Sequence, residues 1–323
     1  MKKLSSISLP LVVGSFLAAS TAPDIQSRSD SLERPQPAPL TKDVSGKTSS
    51  SKNGQSESDT GAQRPISLKK DGISAYFGYD SKYFYRSNPL ATQESIKQPT
   101  GMWTNTFYGG AGIGVYDMDT AVVTPYIGGS WTINDYAEGN LGQFNYNSTN
   151  VYALLLAQYG NGWSIRAGVS YAMDRSTELD EEIYRDYVPN IGAMKAYSLN
   201  PVTTAIFDAS ISLHKTNSDD VLGSSNKSLM DSIEYAASYG IKHTYGNFII
   251  APKYKIVFKQ FEEGRNQDRD DLAHIFSLKL DYPLSDSLKL SGFGGYTTRD
   301  SNDDSNDYDS YDAGAGIGLS ARF

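Results

Sequence analysis

The sequence predicts an all-β fold: a transmembrane, antiparallel, up-and-down β-barrel of twelve strands behind a disordered N-terminal segment. Three observations predict it. From Gly72 onward apolar and polar residues alternate with a period of two over stretches of about 12 residues, which gives each strand one apolar and one polar face. Short turns and long polar loops then alternate along the chain, as in a membrane barrel whose two ends differ. Composition agrees: among 323 residues Tyr (23) and Gly (29) are abundant and Cys is absent. No apolar run beyond the N-terminus approaches the roughly 18 residues of a membrane helix.

The N-terminus comes first. Lys2 and Lys3, an apolar stretch from Ile7 to Ala19, and the small residues Ser20-Thr21-Ala22 make up a secretory signal over 1–22. Cleavage after Ser20 or Ala22 removes two cations and takes the formal net charge from −8 to about −10. Residues 23–71 are rich in Ser, Pro, Lys, Asp, Gln and Gly. Such a stretch buries too little surface to offset chain entropy, so it reads as a disordered periplasmic linker. The barrel is expected over 72–323.

Its last strand is the clearest. Tyr311, Ala313, Ala315, Ile317, Leu319, Ala321 and Phe323 share one parity, while Asp312, Gly314, Gly316, Gly318, Ser320 and Arg322 share the other. Trp163–Asp174 and Ser232–Lys242 alternate in the same way. Short turns are expected near Tyr116–Asp119, Gly160–Gly162, Tyr245–Asn247 and Pro283–Asp286, and long loops near 88–101, 136–147, 176–184, 216–230, 262–270 and 300–308. Eleven strands are plain, but they would leave the turn at Tyr245–Asn247 on the wrong side. A weaker strand at 186–198, turning at Asn200-Pro201, restores the alternation and gives twelve, with ten as the alternative count. With short turns toward the periplasm, both termini are periplasmic.

Trp103, Trp131 and Trp163 fall on the apolar parity near expected strand ends, where aromatic girdles meet the lipid–water boundary. Phe323 closes an alternating strand, the form of a C-terminal assembly signal for bacterial outer-membrane proteins. Outer-membrane lipids and the barrel assembly machinery are therefore expected partners.

The first strand reads Gly78-Tyr79-Asp80-Ser81-Lys82-Tyr83-Phe84-Tyr85-Arg86. It resembles the opening strand of the TorF-type porins, a family of small outer-membrane barrels, although Ser87 stands where that family commonly has Gly. Val188-Pro189-Asn190 and the Tyr197–Asp208 stretch look similar to that family's middle hairpin. The resemblance implies a channel and brings no catalytic residues.

If the apolar parity faces lipid, the other parity faces inward. Its cations include Lys82, Arg86, Arg166, Lys253, Lys255, Lys259, Lys279 and Lys289; its anions include Asp80, Asp174, Asp208, Glu234 and Asp281. Charges on the lipid face would cost a few kcal/mol each near the midplane, which supports this placement. Lys253, Lys255 and Lys259 form a basic ladder on one strand, and such ladders select anions. The expected function is passive passage of small hydrophilic, anionic solutes; mutual pairing of these charges would instead close a narrow barrel.

A non-conducting structural or adhesion barrel working through its loops is the second reading, and a barrel lipid hydrolase the third. Of three histidines, His243 and His274 fall on the lipid parity. His214 falls inward two residues from Ser212, but no hydrolase motif surrounds that pair. The chain is therefore not expected to be an enzyme. The acidic loops around Asp303 and Asp180 match no ordered calcium loop, so neither metal nor cofactor is expected. An acidic chain whose cations point inward is no partner for nucleic acid.

Overall fold

The computed structural model describes residues 74–89, 99–139, 141–217, 230–263 and 266–322. The expected signal (1–22), linker (23–71) and terminal Phe323 lie outside the described residues.

Twelve long strands form one closed antiparallel sheet: β1 (Ser74–Arg86), β2 (Thr100–Gly112), β4 (Ala121–Tyr136), β5 (Tyr146–Tyr159), β6 (Trp163–Ser176), β7 (Glu182–Asn200), β8 (Thr203–Asn217), β9 (Ser232–Tyr245), β10 (Phe248–Phe261), β11 (Asp270–Pro283), β12 (Leu288–Ser301) and β13 (Tyr308–Arg322). The short β3 (Tyr116–Met118) is a three-residue hairpin arm on β4. Each long strand pairs with its neighbour in sequence, and β13 closes on β1 with Asp80 opposite Gly318. Closure removes every sheet edge, which a backbone in hydrocarbon requires. The strand count is twelve, and the starts and ends of β1 and β13 put Ser74 and Arg322 at the short-turn end.

The turns explain the rhythm. The Gly246-Asn247 hairpin joins β9 to β10 with Gly246 at φ +58°, and Gly162 sits at φ +84° before β6. Both are conformations that an L side chain resists and Gly adopts freely. The strand expected at 186–198 is the 19-residue β7, the longest in the barrel. Its pattern is weak in sequence because Pro189 donates no ladder hydrogen bond and a bulge opposite Asp174 and Arg175 shifts its register.

Burial is inverted relative to a water-soluble protein. Arg299 is 1% exposed and heads the fully buried side chains, whereas Phe77 is 53% and Leu155 54% exposed. Along β5, exposed Val151, Ala153 and Leu155 alternate with Tyr152, Leu154 and the buried Leu156. An apolar band outside and charges inside is the arrangement of a membrane-spanning barrel.

Candidate functional site

The candidate site is the barrel interior, and glycines decide how it is filled. On β13 the inward positions Gly314, Gly316 and Gly318 leave a bare strip. A Cβ at Gly314 would lie 2.2 Å from Phe84 Cβ. Because none is there, Phe84 of β1 and Phe293 of β12 meet over the strip with ring centroids 5.5 Å apart. Lys82 Nζ lies 5.7 Å from the Phe293 centroid. A Cβ at Gly318 would lie 2.4 Å from Asp80 Oδ1 and 2.8 Å from Lys289 Cε, so those two side chains converge there.

Toward the long loops the interior charges are paired. Asp186 accepts from Tyr184 Oη at 3.0 Å and faces His214 Nδ1 at 2.9 Å. His214 Nε2 lies 3.6 Å from Glu234, which also faces Lys259 at 3.3 Å and Lys255 at 3.8 Å. The expected basic ladder is therefore largely neutralised: two of its three lysines share one carboxylate. Arg299 Nε sits 3.7 Å from Asp271, and Arg86 donates to both oxygens of Asp312 at 3.0 and 3.1 Å. Asp174 accepts from Ser148. Asp186 and Asp271 were not expected: one lies on the weakly patterned strand, the other beside the loop expected at 262–270. Strand alternation carried one residue further would have found Asp271.

The half nearer the short turns is different. Lys279 pairs with Asp281 at 3.1 Å, and Arg166 holds Asp208 through two hydrogen bonds, Nη2–Oδ1 at 2.9 Å among them. Among the described side chains, the interior-parity positions within nine residues of each strand's short-turn end carry seven cations: Lys82, Arg166, Lys242, Lys253, Lys255, Lys279 and Lys289. Against them stand three carboxylates, Asp80, Asp208 and Asp281. Beyond that level the balance reverses. Arg86, Lys259 and Arg299 face five carboxylates, Asp174, Asp186, Glu234, Asp271 and Asp312.

Two apolar clusters narrow the space. Tyr76 of β1 and Tyr152 of β5 reach across β2 and β4, with hydroxyls 2.6 Å apart. They pass over Gly110 and Gly128, where a Cβ would lie 2.9 Å from the Tyr76 hydroxyl and 2.4 Å from the Tyr152 hydroxyl. Tyr126 and Leu156 are buried beneath them. The interior charges lie on the rest of the wall, from β6 round through β13 to β1. At the long-loop end Leu141 folds inward onto Phe84, Met102, Tyr136 and Tyr146, with Phe144 and Ile183 against them. The segment 177–181, by contrast, is exposed throughout and constricts nothing.

All three tryptophans face outward. Trp103 lies near the long-loop end of β2 and Trp163 opens β6 at the short turns; Trp131 lies further from an end and stacks on Phe107 at 5.9 Å. Lys195, also outward, rests its ammonium over the Trp163 and Tyr197 rings at 5.3 and 5.0 Å. His243 bonds Thr203, and His274 bonds Tyr254. His214 is gripped between two carboxylates, and no hydrogen bond joins it to Ser212.

In the loops, the hydroxyl and backbone N–H of Ser305 hold the Asp303 carboxyl below the usual aspartate range, and Arg175 does the same to Asp180. Both carboxylates are thus engaged by protein groups. Among the described residues no group of three or more His, Asp or Glu side chains is arranged to hold a metal ion.

No protein-family model matches the chain, and no curated protein matches it. The resemblance to TorF-type porins therefore has no family match behind it. Solved barrels do resemble the chain in fold. The COG4313 outer membrane channel from Pseudomonas putida F1 is 10% identical, with 79% of this chain and 97% of that chain covered, at a TM-score of 0.49. The KdgM porin is 11% identical, with 75% and 98% covered, at 0.39. The β domain of the Bordetella autotransporter BrkA is 11% identical, with 77% and 99% covered, at 0.42. At these identities the likeness concerns barrel shape alone.

Proposed function

We propose that the chain is an outer-membrane channel for passive passage of small hydrophilic solutes, with a preference for anions set in the half nearer the short turns. One observation carries the reading: seven interior cations stand against three carboxylates there, beside a tyrosine wall that confines solutes to the charged side. A stretch of net positive charge in a low-dielectric wall concentrates anions and repels cations. Short turns and both chain ends face the periplasm in this reading, with Phe323 presented to the barrel assembly machinery and Trp103, Trp131 and Trp163 meeting outer-membrane lipid. The likeness of the first strand to TorF-type porins points the same way. No catalytic role is assigned, because the one interior histidine is held by Asp186 and Glu234 rather than poised on a nucleophile.

The inward Leu141 cluster favours a second reading, a closed barrel acting through its surface loops. Single-channel conductance of the refolded barrel in a planar bilayer separates the two. Under a salt gradient, stable openings with an anion-selective reversal potential support the channel. A folded barrel that never conducts rejects it in favour of the closed one.

A further inference from the structure

The anion preference has a specific seat. Asp208 lies on β8, and two cations lie two strands away on either side of it, each the register partner of a glycine on the intervening strand. Arg166 of β6 crosses β7 at Gly192, where a Cβ would lie 2.9 Å from its Cζ, and ends on both Asp208 oxygens. Lys253 of β10 is the register partner of Gly240 on β9, so no β9 side chain stands between its stem and β8 at that level. Its ammonium lies in electrostatic range of Asp208, Arg166 and Lys255, yet among the described residues it makes no ion pair or hydrogen bond. The pattern is an ammonium, an arginine with N–H groups to spare beyond its carboxylate, and one carboxylate with spare lone pairs.

We propose that Arg166, Asp208 and Lys253 form a binding subsite for a protonated oxyanion, hydrogen phosphate, on the path through the barrel. The proposal rests on the channel reading for its role in transport, but the subsite itself is a property of the folded barrel. Chloride would satisfy the charge but makes no use of separate donors, whereas Lys253 and Arg166, carried on strands either side of β8, suit an anion with several oxygens. The carboxylate narrows the class further. It repels any fully deprotonated oxyanion, but it accepts a hydrogen bond from an oxyanion that still carries a proton. Hydrogen phosphate has such a proton at neutral pH and sulfate has none, although the two match in shape and charge. Asp208 therefore selects between them, while Arg166 holds it in place.

The test is titration calorimetry of the refolded barrel in detergent with inorganic phosphate, and with sulfate at equal ionic strength. Phosphate is expected to bind at least tenfold more tightly than sulfate. Lys253→Met should abolish phosphate binding, whereas Lys289→Met, which removes a cation from another part of the wall, should leave it. Asp208→Asn should weaken phosphate and raise sulfate toward it; if that variant does not fold, the phosphate-to-sulfate ratio of the unmodified barrel still decides. No phosphate binding, equal sulfate binding, or full binding by Lys253→Met overturns the proposal. A barrel that binds phosphate in this pattern but never conducts keeps the subsite and rejects the channel.

Discussion

The opposed charges of the two interior halves predict a rectified current with a defined sign. Counting the inward Lys, Arg, Asp and Glu of the strands, the short-turn half carries a net of four positive charges and the long-loop half a net of two negative ones. Their centres lie about seven residues apart along the strands, roughly 23 Å at 3.3 Å per residue and about 18 Å along the axis for a tilt near 40°. In 0.1 M salt the Debye length is about 10 Å, so the two zones act separately; in 1 M salt, at about 3 Å, both are screened. With the long-loop side positive, cations enter through the acidic half and anions through the basic half, and both accumulate where the zones meet. The opposite polarity drains that junction. Current should therefore be larger with the long-loop side positive, by ~1.5-fold or more at 100 mV in 0.1 M KCl, with the ratio approaching ~1 in 1 M KCl. The assay is a current–voltage curve on barrels of known orientation. A Cys placed by Glu178→Cys in this cysteine-free chain and labelled from one side with an impermeant maleimide reports that orientation. Lys82→Met with Lys253→Met removes two cations that make no ion pair among the described residues and should about halve the excess over unity. A conducting channel with a symmetric curve in 0.1 M salt, or with the opposite sign, refutes the reasoning.

Further expectations follow from single residues. Gly314→Ala sets a methyl group 2.2 Å from Phe84 Cβ and should destabilise the barrel by about 1–3 kcal/mol, read as a lower urea midpoint in vesicles. Asp208→Asn leaves the Arg166 guanidinium unpaired in the interior and should cost on the order of 3 kcal/mol in the same assay, partly recovered by adding Arg166→Met. Ser212→Ala and His214→Ala should match the unmodified barrel in hydrolysis of a fluorogenic ester, because no nucleophile–base contact exists to remove; loss of measurable activity in both would revive the enzyme reading. The lowered pKa of Asp303 means its contacts stabilise the folded loop above the ordinary aspartate value and are lost as pH falls through the lowered one. The Ser305 backbone amide, which donates to Asp303, should stay protected from hydrogen exchange at pH 5 and lose that protection only in strong acid.

Facing was legible in the sequence because it depends only on parity within one strand. Asp80, Lys82, Arg166, Asp208 and Lys253 could be set on one face from the period of two alone. Strand number was legible too, once the turn at Asn200-Pro201 was admitted. What a bulge or proline disturbs was harder. Around Pro189 the pattern fades, and the inward carboxylate of Asp186 faded with it, so the basic ladder looked freer than it is.

Pairing was not legible, for a different physical reason. A side chain inside a barrel reaches past its neighbour only if that neighbour is small, so its partner depends on a residue in a strand remote in sequence. Arg166 meets Asp208 because Gly192 lies between them, and Phe84 meets Phe293 because Gly314 does. Read strand by strand, these glycines are merely the small residues of an alternating pattern. Read across three adjacent strands, each glycine between two long side chains marks where the interior is bridged. The strip on β13 makes the point in reverse: a run of three inward glycines looks like an opening in the wall, yet it is covered from both sides by Asp80, Lys82, Phe84, Lys289 and Phe293. The positions that carry no side chain thus decide where the barrel is filled, and Lys253, which faces Gly240 and has no hydrogen-bond partner among the described residues, marks where it is not.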